Sequence, residues 1–300
     1  MNISFDIIIQ LLANSLITGS MYALAAFGLA LSYGIMRLLN FAHGHFLMVG
    51  AYLYYLASIE WGYNVFTSLL FSLLGISLVA ILTLRTFIFP FLGESFVLIF
   101  VTTLSLGTIF ESLISMIFGV NVKSLNQGSI SESINVFGAY LTHFQIFTVA
   151  TAITLLSLTA IFVHYTVIGR QLRGVIEGQH ISESLGINSR GIYYLGFMLS
   201  IILTAIAGIM IGYETNVSPT MGGVYTIKAF AAMILGGLGN LWGTIVGSYI
   251  LAGVENFAVG LDFGKWSIPA GYKDAFSFVV IILMLLFKPT GLFGKKIRTT

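Results

Sequence analysis

The stretch TVIGRQLRGVIEGQHISESLGI, residues 166–187, is polar, is punctuated by glycine, and lies between two long apolar runs of a chain that is 57% hydrophobic. A polar segment between two such runs is typical of a loop that joins two membrane spans on one aqueous side. Arg170 and Arg173, with Arg190 just beyond, place this loop in the cytoplasm, because Lys and Arg in short loops resist translocation. The segment therefore predicts a membrane protein with a surface that a cytoplasmic partner can reach.

Composition places the whole chain in the membrane class. Only 8% of its residues are charged and its mean hydropathy is +0.98, so it has more apolar sequence than a water-soluble fold could bury. Because backbone groups in lipid must be paired internally, the continuous apolar runs predict helices. The lack of cysteine excludes disulfides, thiol catalysis and thiolate metal ligands. A net charge of +2 gives no argument for nucleic-acid binding.

Nine apolar segments predict an all-α membrane bundle of eight or nine transmembrane helices, in one domain that covers residues 1–300. They lie approximately at residues 8–35, 41–58, 65–85, 96–118, 143–164, 192–213, 224–240, 242–260 and 274–288. The two segments that flank Gly236–Gly243 are short and rich in glycine. They form either two spans or one broken, re-entrant element.

The distribution of basic residues predicts the orientation of the chain. If the N-terminus is outside, nine Lys and Arg residues fall on the cytoplasmic side and three fall outside. The cytoplasmic set is Arg37, Arg85, Arg170, Arg173, Arg190, Lys288, Lys295, Lys296 and Arg298, and the external set is Lys123, Lys265 and Lys273. This asymmetry predicts an extracytoplasmic N-terminus and a cytoplasmic C-terminus.

The polar segment 166–187 contains two short amphipathic stretches that break at Gly178. One face carries Leu172, Val175 and Ile176 at helical spacing, and another carries Arg170, Arg173 and Glu177. From these residues alone, two interpretations fit equally well. Either the polar face docks on a cytoplasmic protein, or the helix lies on the lipid headgroups.

Four motifs, taken together, resemble a known family. They are NFAHGHFLMVGAY at 40–52, GRQLRGVIEGQHISESLGI at 169–187, AFAAMILGGLGNLWGTIVG at 229–247 and FKPTGLFG at 287–294. In this order they are similar to the signature after the first long helix, the coupling-helix region, the Gly-rich element and the closing sequence of permease subunits in ATP-binding-cassette importers of the branched-chain amino acid type. Gly174 and Gly178 depart from the usual pattern of that family, and each weakens a helix by about 1 kcal/mol relative to alanine.

The resemblance implies a multi-pass permease of a bacterial inner membrane that moves branched-chain amino acids, or related small polar solutes, into the cytoplasm. The implied partners are a second, different but homologous permease chain, two cytoplasmic ATP-binding subunits, an extracytoplasmic solute-binding protein and membrane lipid. The implied coupling residues are Gly169, Arg170, Arg173, Glu177, Glu183 and Gly186. No G-x-x-x-x-G-K-[ST] string occurs, so ATP belongs to the partner subunits, and the chain is expected to bind no cofactor and to have no catalytic residues.

A path for a polar solute needs polar or small residues that face the interior of the bundle. The candidates for this path or its gate are Asn40, His43, Gly44, Thr102, Thr103, Glu111, Gly236, Gly237, Gly239 and Glu255. Asn40 and His43 can instead cap a helix and pack a turn. Glu255 can instead be the buried partner of Lys228.

The glycines near residue 240 also allow two interpretations. Gly239, Gly243 and Gly247 have the small-xxx-small spacing that lets helix backbones approach closely. This spacing fits a mobile gate and equally fits close packing in a static bundle.

Other functions stay open at this point. A related permease for urea, short amides or sugars shares the architecture, and a stand-alone secondary transporter or channel could use Glu111, Lys228 and Glu255 as ion relays. A lipid-modifying enzyme would need convergent acidic residues or histidines at one membrane face, and the spacings do not supply them. His43 and His45 project from opposite faces of a helix, so no metal site is predicted.

Overall fold

A computed structural model describes residues 5–126, 133–136, 138–260 and 269–294. Within these ranges the chain forms eleven α-helices and one short antiparallel hairpin. The helices are α1 (Phe5–Met36), α2 (His43–Tyr55), α3 (Val65–Thr83), α4 (Phe96–Phe118), α5 (His143–Tyr165), α6 (Val167–Glu177), α7 (Gln179–Ser184), α8 (Ser189–Thr215), α9 (Met221–Gly236), α10 (Leu241–Gly260) and α11 (Lys273–Phe287). The hairpin pairs β1 (Ser133–Val136) with β2 (Ala139–Thr142) in the loop before α5. Of the basic residues used for the orientation, Lys265, Lys295, Lys296 and Arg298 lie outside the described residues.

The predicted all-α membrane bundle is confirmed, whereas the count of eight or nine spans is not. In the described ranges, five helices are long and apolar enough to cross a membrane, and α9 with α10 adds a sixth if the pair counts as one span. The five are α1, α3 with its continuation to Phe91, α4, α5 and α8. By contrast, neither α2, which continues as a π-helix from Leu56 to Glu60, nor the 15-residue α11 is among these described spans. The axes of α9 and α10 differ by 117°, so the break predicted in this glycine-rich region is present.

Side-chain caps explain where several helices begin. Thr142 and Gln145 form a reciprocal capping box at the start of α5, with hydrogen bonds of 3.2 and 3.1 Å. Asn64 accepts a hydrogen bond from the backbone of α3, and Asn188 does the same for α8. Each cap satisfies one of the backbone N–H groups that a helix start leaves without an internal partner.

The centre of the bundle is built from α1, α2 and α8. Within the apolar windows of the spans, 50% of α1 and 72% of α8 is buried, compared with 28% of α4 and of α5. A Cβ atom at Gly28 of α1 would lie 2.5 Å from Thr204 Oγ1 of α8, and one at Gly208 of α8 would lie 2.2 Å from the carbonyl oxygen of Leu47 in α2. Glycine therefore lets these helices pack backbone against backbone, as in other membrane bundles.

The helix predicted at about 41–58 is present from His43 to Glu60, as α2 and its π-helical continuation, and a non-helical stretch precedes it. Residues 37–42 are not helical, and α2 begins only at His43. The His43 ring lies 3.0 Å from the carbonyl oxygen of Ala25, near the middle of α1. Asn40 and Ala42 are buried, and the Ala42 N–H donates to Asn40 Oδ1 at 3.0 Å. Non-helical backbone at this depth is tolerated because protein surrounds it and pairs its polar groups.

Candidate functional site

The bundle has an open groove at one end and a cavity at the other. We call the end that carries Arg37 the inner end and the end that carries Asn14 the outer end, following the orientation predicted from the basic residues. The inner groove, of about 1110 Å³, lies between the C-terminal ends of α1 and α5, helix α6 and the turn between α9 and α10. The outer cavity, of about 550 Å³, lies between α1, α5, α8, α9, α10 and the start of α11. Both α1 and α5 contribute to each of these spaces.

The polar segment 166–187 folds into α6 and α7, with the predicted break at Gly178. Thr166 begins α6 by accepting a hydrogen bond from the Gly169 N–H at 3.0 Å. The apolar face predicted for α6 is buried, since Leu172 is 1% exposed and Val175 is 4% exposed. After α7 the chain turns at Gly186, whose φ of +81° lies in the left-handed region that favours glycine.

Arg173 is turned towards the bundle and does not lie on the free polar face where the sequence placed it. Its guanidinium donates to the carbonyl oxygens of Val163 and His164, in the last turn of α5. These carbonyls have no partner within α5, and a positive charge at a helix C-terminus is favourable. Arg170 and Glu177, in contrast, are exposed. Arg173 therefore fastens α6 to the inner end of α5.

Gly169 brings α6 and α5 into direct backbone contact. A Cβ atom at this position would lie 2.4 Å from the carbonyl oxygens of Phe162 and Val163. No flexible side chain could move to relieve that overlap, because the atoms in the way are backbone. Glycine at position 169 is thus required by the junction between the two helices.

Arg37 makes a second connection, which the sequence did not reveal. Its guanidinium donates to the carbonyl oxygen of Ile176 at 3.3 Å, so the end of α1 is joined to the end of α6. Arg37 itself has a positive φ of 52°. Only the fold brings these two residues together, because 139 positions separate them in the chain.

The surface of α6 and α7 that faces away from the bundle combines charge with exposed apolar side chains. We call Arg170, Ile181, Glu183 and Leu185 the docking face. Ile181 is 71% exposed and Leu185 is 77% exposed. The Gln179 side-chain amide donates to Glu183 Oε1 at 3.0 Å, and this bond lowers the pKa of Glu183 and favours its charged form. These exposed side chains can contact either a protein partner or the lipid headgroups.

A buried ionic cluster lies beside the outer cavity. Lys228 Nζ is 3.2 Å from Glu255 Oε2 and 2.7 Å from Asp274 Oδ1. It also donates to the Tyr22 hydroxyl at 2.7 Å. Glu255 is fully buried and accepts further hydrogen bonds from Tyr22 and Ser277. Glu255 is therefore the buried partner of Lys228, the second of the two roles that its sequence position allowed.

The predicted path residues Asn40, His43 and Gly44 lie at the buried start of α2. The Gly44 N–H donates to Thr226 Oγ1 at 2.9 Å, and His43 Nε2 lies 2.8 Å from Thr204 Oγ1. In the described part of the chain, none of the three lines the inner groove or the outer cavity. Their contacts hold α2 against α8 and α9.

The candidates on α4 are separate from both spaces. The hydroxyls of Thr102 and Thr103 donate to carbonyl oxygens of their own helix, at 2.8 and 3.2 Å. The Glu111 carboxylate lies 3.8 Å from His45 Nε2. Across the described ranges these three side chains are absent from the linings of the groove and the cavity.

Glycines form the sharp turn between α9 and α10. Gly237 and Gly239 have φ values of +107° and +78°, and a Cβ at Gly236 would lie 2.2 Å from the backbone of Gly243. The closing motif FKPTGLFG completes this turn, because the N–H groups of residues 292 and 293 donate to the carbonyl oxygens of residues 235 and 236, at 2.8 and 3.1 Å. Gly239 also lines the inner groove.

A helical membrane bundle with an opening at each end and an amphipathic helix pair fixed to its inner end fits a membrane permease. Residues 11–285 match the family model described as branched-chain amino acid transport system / permease component. The chain belongs to this family.

Individual relatives resemble the chain over almost its whole length. The high-affinity branched-chain amino acid transport system permease protein BraD of Pseudomonas aeruginosa is 32% identical, over 96% of each chain. The permease protein LivH of the same kind of system in Salmonella typhimurium is 30% identical, over 98% of each chain. Among solved structures, PsaBC from Streptococcus pneumoniae in complex with Fab has a TM-score of 0.52 at 15% identity, over 93% of this chain and 92% of that one. This last likeness concerns the fold alone.

Proposed function

We propose that this chain is the transmembrane permease subunit of an ATP-binding-cassette importer that moves branched-chain amino acids into the cytoplasm. Membership of the permease family and the near full-length similarity to BraD and LivH support this function. In this proposal the chain crosses a bacterial inner membrane with its N-terminus outside and its C-terminus inside. It carries out no covalent chemistry.

The observation that carries the mechanism is the attachment of α6 to α5 through Arg173 and Gly169. Helix α5 contributes to the inner groove and to the outer cavity. A partner that displaces α6 therefore displaces a helix that borders both openings. Coupling requires that the nucleotide bound by the ATPase changes the free-energy difference between two positions of the helix. A rigid α5–α6 junction provides the mechanical connection.

The partners are those that membership of the family implies. The sequence contains no phosphate-binding Gly loop followed by Lys, which fits binding and hydrolysis of ATP by two cytoplasmic subunits, one of which receives the docking face. A second, homologous permease chain completes the channel. A solute-binding protein delivers the amino acid at the outer end.

Substitutions on the docking face test this proposal. The double variant Ile181→Asp, Leu185→Asp places charges where the partner would bury apolar groups, and it should abolish ATP-driven leucine uptake and co-purification of the ATPase. Ser184→Asp, on the same helix and already exposed, is the matched control and should retain both. Normal uptake by the double variant, with the ATPase still bound, would contradict the assignment of α6 and α7 as the coupling element.

A further inference from the structure

The outer cavity combines charges of both signs with a few apolar residues. Its volume of about 550 Å³ lies within the range of about 300–1,000 Å³ found for small-molecule sites. The charged residues that line it are Glu214, Lys228, Lys273 and Asp274. The apolar residues that line it include Ile17, Met21 and Ile211.

Two of these charges keep unused hydrogen-bonding capacity. Lys228 is paired with Asp274 at 2.7 Å and with Glu255 at 3.2 Å. Lys273 Nζ donates to Asn256 Oδ1 at 3.1 Å, its one hydrogen bond in the described part of the chain, and an ammonium has three donors. Glu214 Oε1 accepts from Gln145 at 2.9 Å, which leaves its second carboxylate oxygen without a partner among the described residues. The cavity therefore offers a cationic donor and an anionic acceptor.

Lys273 and Glu214 line the same cavity of about 550 Å³. An α-amino acid carries its ammonium and its carboxylate on one carbon, so a site for it needs an acid and a base close together. Glu214 is exposed and Lys273 is half-buried, so water reaches both residues. A ligand that carries both charges can pair with both residues at once.

We propose that the outer cavity binds the zwitterionic head of the transported amino acid, with the carboxylate on Lys273 and the ammonium on Glu214. The branched side chain lies against Ile17, Met21 and Ile211. This inference rests on the proposed function and adds to it the place where the permease itself receives the solute.

Saturation-transfer NMR on the purified complex of the permease with its partner subunits, without the solute-binding protein, tests this site. Leucine should give a saturation signal. Leucinamide, which lacks the carboxylate, and 4-methylpentanoate, which lacks the amine, should each bind at least about tenfold more weakly. Alanine, which lacks most of the apolar side chain, should also bind about tenfold more weakly, because each buried CH₂ contributes to binding. Equal signals from leucine, leucinamide and 4-methylpentanoate would overturn the proposal, and this comparison needs no variant.

Variants test which residue of the cavity binds each charged group of leucine. Lys273→Gln should weaken leucine binding and remove the preference for leucine over leucinamide. Glu214→Gln should remove the preference over 4-methylpentanoate. Lys123→Gln is the matched control, because Lys123 lies at the same end of the bundle but does not line the cavity. Leucine binding that survives both cavity variants unchanged would place the site elsewhere.

The same complex separates failure of this inference from failure of the proposed function. ATP-driven leucine uptake with the binding protein, combined with no saturation signal from leucine, would leave the function standing and refute the cavity site. Absence of uptake for every branched-chain amino acid would refute the function itself.

Discussion

Arg173 Nη1 lies 2.9 Å from the carbonyl oxygen of His164, so a cationic side chain of α6 caps the C-terminus of α5. The bond joins the one helix pair that carries the docking face to a span that borders both openings of the bundle. The charge of Arg173 is thus used within the chain, whereas its neighbour Arg170 is exposed.

Arg173→Gln should loosen the α5–α6 junction. Because it removes charge-assisted hydrogen bonds at a half-buried site, it should cost about 1–2 kcal/mol of stability, near the lower end for bonds to charged groups. Uptake should fall more than ATPase binding, since the docking face stays intact while its connection to α5 is lost. Arg170→Gln, at an exposed position of the same helix, should leave thermal stability unchanged. A melting temperature in detergent, measured for both variants, checks this; equal values would show that the Arg173 bonds contribute nothing.

Gly169→Ala should be destabilising, whereas Gly174→Ala should be tolerated. A methyl group at residue 169 overlaps the backbone of α5 at 2.4 Å, and overpacking of this kind costs about 1–3 kcal/mol. At residue 174 the nearest atom, Ser182 Oγ, is 3.3 Å away, and alanine gains about 1 kcal/mol of helix propensity. Both variants change one glycine of one helix to alanine, so uptake and thermal stability compare them directly. If Gly169→Ala and Gly174→Ala have similar uptake and thermal stability, tight packing of α6 on α5 at residue 169 is contradicted.

The ionic cluster predicts an asymmetry between its members. Lys228→Met leaves the fully buried Glu255 without a cation, which costs about 3–5 kcal/mol. Glu255→Gln should cost about 1–2 kcal/mol, because Lys228 keeps Asp274 as its partner. Adding Glu255→Gln to Lys228→Met should therefore restore part of the lost stability. Protein yield and thermal unfolding of the three variants measure these losses of stability. If the losses of the two single variants simply add in the double variant, the pairing of Lys228 with Glu255 is contradicted.

Hydrophobic runs and turn residues predicted the membrane bundle and the break at Gly178, because these features depend on local sequence. The same local rules predicted the helix at about 41–58, which runs from His43 to Glu60. The contacts of His43 with Ala25 and Thr204 in other helices had no local signal. The count of eight or nine spans is not confirmed, because α2 and α11 are not among the described helices that are long and apolar enough to cross a membrane.

The candidate site residues also divide into those that the local sequence indicated and those that only the fold brings together. Glu255 and Lys228 were recognisable because charges within apolar runs are rare. Asp274 and Tyr22 complete their cluster from distant helices, and no sequence spacing indicated them. Thr102 and Thr103 looked like path residues because they are polar, yet their hydroxyls are used by their own helix.

The closing motif predicts a further stability effect. Gly291→Ala places a methyl group 2.4 Å from Gly237 Cα at a φ of +80°, so residues 292 and 293 could no longer cap α9 without strain. We expect a loss of about 1–3 kcal/mol and faster proteolysis near the α9–α10 turn. Gly253→Ala, with no heavy atom within 4 Å of the added carbon apart from the backbone of its own helix, is the matched control and should be neutral or slightly stabilising, because alanine favours the helix. If Gly291→Ala is cleaved by the protease no faster than Gly253→Ala, the closing motif does not hold the α9–α10 turn.

The orientation can be tested directly because the chain has no cysteine, so a single introduced thiol reports its own location. Asn121 and Ser184 are both exposed, and they lie in the loop after α4 and in α7. With the N-terminus outside, Asn121→Cys should react with a membrane-impermeant maleimide in intact cells, after outer-membrane permeabilisation where one is present. Ser184→Cys should react only after the inner membrane is opened, because α7 follows a loop whose arginines keep it in the cytoplasm. Labelling of Ser184→Cys in cells with a closed inner membrane would reverse the topology, and would also remove α6 and α7 from the reach of any cytoplasmic ATPase.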